Sequence, residues 1–123
     1  MSTVKVTVDM SSVLDWIATM RLVSPAVYAA ARDAVEETTA EIEDLARFLA
    51  PELTGALKES IDSRVDGLQG RVFTELRYAP FVEFGTWKDP VQPFLYPAAD
   101  AYEDEYPVIM EKKVLPVVKK FFP

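Results

Sequence analysis

The 123-residue sequence contains neither cysteine nor histidine. Without cysteine there is no disulfide framework and no thiolate metal site, which is compatible with a reducing compartment. Without histidine the commonest zinc ligand, the Ser-His-Asp and Cys-His constellations and the usual general base near neutral pH are all missing. No apolar run approaches the roughly 18 residues of a membrane span. The opening Met-Ser-Thr-Val-Lys-Val-Thr-Val-Asp lacks the charged and apolar regions of a signal peptide, which points to the cytoplasm as the place of synthesis. Positive charge is scarce: 13 basic residues against 20 acidic ones give a formal charge of -7. Such a balance disfavours adhesion to nucleic acid or to anionic membrane.

What is present is ordinary for a globular chain, 50% apolar and 27% charged. The length fits one domain over residues 1–123, with a core of its own. Val4, Val6 and Val8 alternate with Lys5, Thr7 and Asp9, the period of a half-buried strand. Ser12 and Asp15 have capping-box spacing before a short helix over residues 13–22. Ser24-Pro25 reads as an N-cap followed by proline at the first helical position. From there an uninterrupted helix is expected up to Ala50, with Ala31, Ala34, Val35, Thr38, Ile42, Leu45, Ala46 and Leu49 on one face and Pro51 as its stop. Thr54-Gly55 begins a turn or short helix to Ser60.

Ile61, Ser63 and Val65, then Val72, Thr74 and Leu76, alternate on either side of Asp66-Gly67-Leu68-Gln69-Gly70, which predicts a hairpin with a bulged or longer loop. A last helix is expected over residues 93–106, with Pro97 near its start and Pro107 at its break. The fold class is therefore α+β: a small antiparallel sheet, made of the N-terminal strand and the hairpin, packs on one long helix, with a shorter C-terminal helix.

Residues 78–98, YAPFVEFGTWKDPVQPFLYPA, hold six aromatic rings and four prolines. Pro80 fits the first turn of a short helix, and Gly85 fits a left-handed residue just past its end. Phe81 and Phe84 share a helix face with Tyr78 one turn earlier. Large apolar residues are mostly interior, which favours the core for Phe81 and Phe94. Trp87 and Tyr96 are the rings assigned to a partner, since aromatic residues dominate interface energetics. Periodicity leaves both readings open for the group. Glu83, between two phenylalanines, reads as a solvated face or, failing that, an inter-subunit ion pair.

Three stretches in series, Thr54-Gly55-Ala56-Leu57-Lys58-Glu59-Ser60-Ile61, Tyr78-Ala79-Pro80-Phe81-Val82-Glu83-Phe84-Gly85-Thr86 and Gln92-Pro93-Phe94-Leu95-Tyr96-Pro97-Ala98, resemble the motifs of siphophage neck or tail-component proteins. Phe81 stands where that family commonly has tyrosine, and Trp87 where it has small or polar residues. The resemblance implies a non-enzymatic virion protein, assembled in the host cytoplasm, that joins head to tail as a homo-oligomeric ring. Its partners would be portal-side connector proteins and tail terminator or tail tube proteins. Genome DNA would pass without specific binding, and no membrane or cofactor is involved. The interface residues expected are Tyr78, Phe81, Glu83, Phe84, Gly85, Thr86, Trp87, Pro93, Phe94, Tyr96, Phe121 and Phe122. An α+β interaction module outside any virion is the alternative.

Catalytic chemistry has little to use. Carboxylates cluster at Glu36-Glu37, Glu41-Glu43-Asp44 and Glu103-Asp104-Glu105, but such runs on helices read as solvated faces and match no metal-loop pattern. Arg64, Arg71, Lys58 and Arg77 read as salt-bridge partners, with phosphates or an acidic neighbour as alternatives. Residues 107–123 resemble a basic amphipathic helix interrupted by Pro116, expected to dock on the domain or on a neighbour, with membrane-surface binding as the alternative.

Overall fold

The computed structural model describes residues 4–9, 24–52, 55–86 and 91–121. The expected helix over residues 13–22, and Thr54, Trp87, Pro90 and Phe122, lie outside the described residues, as does the side chain of Phe121.

β1 (Val4–Asp9), β2 (Asp62–Asp66) and β3 (Gln69–Thr74) form one antiparallel sheet in the order β1-β3-β2. Register places Val6 opposite Val72 and Val4 opposite Thr74, so these four side chains share one buried face. Lys5, Arg71 and Phe73 fall on the other face, because successive strand side chains alternate.

The buried face meets α1 (Pro25–Leu49), about 37 Å long at 1.5 Å per residue. Ser24 stands at the N-cap as expected, but its hydroxyl makes no cap bond; its carbonyl accepts from Val27 N at 3.1 Å and Tyr28 N at 3.3 Å. The inner stripe of α1, including Val27, Ala31, Val35, Ile42 and Ala46, is buried. Its alanines let the sheet come close, and closest at Gly70, where a Cβ would overlap the Thr39 hydroxyl. At the far end Arg47 Nη2 donates to the Ile61 carbonyl at 2.7 Å while Nη1 pairs with Glu43 at 2.6 Å. That anchors the end of α1 to α2 (Ala56–Ser60), whose Ser60 hydroxyl lies 2.6 Å from that of Thr74.

The hairpin turn is shorter than its sequence suggested. Asp66 faces Gln69 across a two-residue loop, Gly67-Leu68, and Gln69 and Gly70 belong to β3. Gly67 has φ +60° and Leu68 does not, which is the type II′ pattern that matches strand twist. The last helix also differs. Residues 93–106 do not form one helix; α4 (Leu95–Ala101) ends in a turn, and α5 (Glu105–Phe121) follows. Pro107 lies in the first turn of α5, where no N–H is required, so it starts a helix rather than breaking one. Pro116 does not interrupt α5; it and Lys112 lie on the exposed face, where a missing backbone bond leaves no buried group unpaired. α5 runs antiparallel along α1, with Ile109 and Val114 buried and Lys113 Nζ 3.6 Å from Glu37.

Candidate functional site

Beyond β3 the chain turns on local bonds: Leu76 N donates to the Thr74 hydroxyl at 3.2 Å, and Ala79 N to the Leu76 carbonyl at 3.1 Å. This delivers α3 (Ala79–Phe84), with Ala79 fully buried and Pro80 in its first turn. Gly85 N donates to the Phe81 carbonyl at 2.8 Å, closing the helix. Gly85 was expected in the left-handed helical region. It combines φ +77° with ψ 174°, an extended conformation that is open essentially to glycine alone. The chain therefore leaves α3 abruptly, and Gln92 N returns to the Val82 carbonyl at 3.0 Å.

Glu83 is neither solvated nor set for an inter-subunit pair. It is 2% exposed, and its Oε1 accepts from Phe94 N at 3.2 Å and Leu95 N at 2.9 Å, while Oε2 accepts from Tyr96 N at 3.2 Å. These N–H groups open α4, whose N-cap position is Phe94 and has no side-chain acceptor of its own. A carboxylate here satisfies donors that a helix start leaves unpaired, and it meets the positive end of the helix dipole. Glu83 thus clamps α3 to α4 within one chain.

The clamp holds a ledge of rings outward. Phe81 is 59% exposed, which corrects its expected place in the core, and Phe84 is 55% exposed beside it. Tyr96, 44% exposed, packs on Phe84 with ring centroids 5.5 Å apart and planes inclined at 58°. Val91 and Pro93 are also exposed. Phe94 is fully buried in the core, and Tyr78 is half-buried against it. Gly85 and Thr86 are half-buried. Large apolar side chains exposed side by side in this way depart from the usual burial of such residues. Phe48, 78% exposed near the end of α1, adds a further ring on the surface.

The charged clusters are mostly used within the chain. Glu36 pairs with Arg32 at 3.5 Å, Glu37 with Lys113, and Glu43 and Asp44 with Arg47. The Glu41 carboxyl is pushed up from its ordinary value by burial and by the neighbouring charges of Glu37, Glu105 and Asp44. Among the basic residues Lys58 pairs with Glu52 at 3.1 Å, but Arg64 lies over the Phe73 ring and Arg71 donates to Gln69 instead of pairing with a carboxylate. Among the described residues no group of three or more acidic side chains is arranged to hold a metal. No described helix is long and apolar enough to cross a membrane.

Comparison with known proteins covers part of the ledge, Phe81 and Phe84, and stops short of Tyr96. Residues 16–85, more than half of the chain and inclusive of α1, the hairpin and α3, match a family model described as "Bacteriophage HK97-gp10, putative tail-component". An uncharacterized protein of Methanocaldococcus jannaschii is 39% identical over 66 residues, and the match spans 49% of this chain and 49% of that relative. No solved structure matches the chain significantly. The chain belongs to the HK97-gp10-like family of phage tail components.

Proposed function

We propose that the chain is a ring subunit of the phage neck, joining the portal-side connector to the tail and leaving a path for the genome. The observation that carries this reading is the ledge of Phe81, Phe84 and Tyr96, held outward by Glu83 and Gly85. A closed ring needs heterologous contacts, in which one patch meets a different patch on the next subunit. Rings fixed in advance lose little freedom on binding, and so suit the centre of such a contact. The formal charge of -7 supports passage of DNA without capture, because few cations are present to displace its counterions. Tail terminator or tail tube proteins on one side and connector proteins on the other are the partners this places against it, with the virion as its location after assembly in the host cytoplasm.

The test is a phage carrying Phe81→Asp with Phe84→Asp. Both positions are exposed and the main packing lost is the Phe84–Tyr96 ring contact, so the purified variant should keep its stability to within about 1.5 kcal/mol. Electron microscopy of lysates should show filled heads and separate tails. A normal yield of joined, infectious particles would remove the proposal.

A further inference from the structure

The two long helices carry opposite charge. α1 holds six carboxylates, Asp33, Glu36, Glu37, Glu41, Glu43 and Asp44, against Arg32 and Arg47. α5 holds Lys112, Lys113, Lys119 and Lys120 against Glu105 and Glu111. Part of this charge is paired within the chain: Arg32 with Glu36, Arg47 with Glu43, and Lys113 with Glu37. Asp44 makes only a longer contact to Arg47, at 3.8 Å, and its side chain is 80% exposed. Lys112 and Lys119 have no carboxylate within 4.0 Å among the described residues.

These unused charges stand on two exposed stripes. On α5, opposite the buried Ile109 and Val114, the exposed Val108, Lys112, Leu115 and Lys119 follow at spacings of four, three and four, which keeps them on one helix face. With Glu111 and Pro116 they line a shallow depression of about 630 Å³. On α1 the exposed Glu37, Ala40, Asp44 and Phe48 follow at three, four and four. Phe48 is the most exposed large apolar side chain among the described residues.

The stripes match when laid antiparallel. Lys112 and Lys119 are seven residues apart, as are Glu37 and Asp44, a separation of about 10.5 Å along either helix. With Asp44 opposite Lys112, Glu37 falls opposite Lys119, Phe48 opposite Val108, and Ala40 opposite Pro116 and next to Leu115. Glu111, the carboxylate in the depression, then comes within a turn of Arg47. The parallel sense sets Val108 against Asp33 instead.

We infer that the outer stripe of α5 in one copy docks antiparallel on the outer stripe of α1 in a second copy, with Lys112 on Asp44, Lys119 on Glu37 and Val108 against Phe48. The two stripes share no residue, so the contact is heterologous, as a ring requires; the inference rests on the ring reading for the existence of a second copy. An anionic membrane is the poorer occupant of the α5 stripe, because the net charge of -7 opposes it. In such a contact the ion pairs set register and choice of neighbour, and the apolar side chains add affinity.

Exchanging one charge pair tests the register. Asp44→Lys and Lys112→Glu change exposed positions, and circular dichroism establishes that the variants are folded. In sedimentation at low salt each should associate at least about 10-fold more weakly than the unmodified chain, because like charges then meet. The chain carrying both should recover to within about 3-fold, since the pair is restored with its signs exchanged. Phe48→Asp should weaken association by about 10-fold or more, through loss of the apolar contact. Association of any of these single variants at the unmodified level, or no recovery in the double variant, overturns the inference and leaves the ring reading standing. An unmodified chain that stays monomeric at every concentration overturns both. Flotation of the unmodified chain with vesicles of phosphatidylserine and phosphatidylcholine, lost in Lys112→Glu, would assign the α5 stripe to a membrane surface instead.

Discussion

Replacing Glu83 by alanine removes the acceptor of three backbone N–H groups at once. Two of them, on Phe94 and Leu95, belong to residues with no exposed surface, so water cannot take the place of the carboxylate. Tyr96 is half exposed and can turn to solvent. A buried donor left without a partner costs about 1 to 3 kcal/mol. Two such donors at about 1.5 to 2 kcal/mol each give a loss of about 3 to 4 kcal/mol, with loss of the dipole interaction included in that range. For a domain of this length that corresponds to a fall in Tm of about 12 to 16 °C. Glu83→Gln keeps one acceptor oxygen but turns an amide N–H₂ toward a backbone N–H, so it should lose about half as much. Thermal and urea denaturation of the three proteins by circular dichroism gives the values. A Tm for Glu83→Ala within about 2 °C of the unmodified chain would falsify the clamp, because two buried donors left without an acceptor could not lose so little.

Three further outcomes follow from packing and charge. Gly70→Ala pushes a Cβ into the Thr39 hydroxyl and should cost about 1 to 3 kcal/mol in denaturant titration; Gly70→Ala with Thr39→Ala should recover most of it, since that hydroxyl is buried without a partner among the described residues. Gly85→Ala should lose about 1 to 3 kcal/mol, from a backbone at φ +77°, and a loss below about 0.5 kcal/mol would show that the corner relaxes. Glu41 has a folded-state carboxyl raised above 4.5, so the native chain holds its proton longer than the unfolded chain does, and stability falls as pH rises through that window. Glu41→Gln lacks this slope: it should be the more stable protein at neutral pH, and the advantage should vanish below the ordinary carboxylate value.

The long helix, the first strand and the hairpin pair were legible because each rests on local periodicity and on proline or glycine at its ends. The turn was misread because glycine has two uses. Gly67 supplies a positive φ, whereas Gly70 makes room for Thr39, and spacing alone does not separate a turn glycine from a close approach. Pro107 and Pro116 were read as breaks, yet one occupies a first turn and the other a solvent-facing position where a lost backbone bond leaves no buried group unpaired. Glu83 was out of reach of local pattern, since its partners lie 11 to 13 residues away. A signal did exist: α4 begins with Phe94 and no Ser, Thr, Asp or Asn, so its first N–H groups had to find an acceptor elsewhere in the fold. Phe81 and Phe84 were correctly placed on one helix face, but which way that face points is set by Ala79 and Glu83, the two residues of α3 that are buried.

The ring at the neck is tested most directly by an averaged cryo-electron microscopy image of the joint between head and tail in the particle that encodes this chain. Density for α1 and its sheet should repeat around the tail axis in a closed ring, with the Phe81, Phe84 and Tyr96 ledge buried against a neighbouring protein. Absence of the chain from that joint, or isolated copies with the ledge open to solvent, would contradict it.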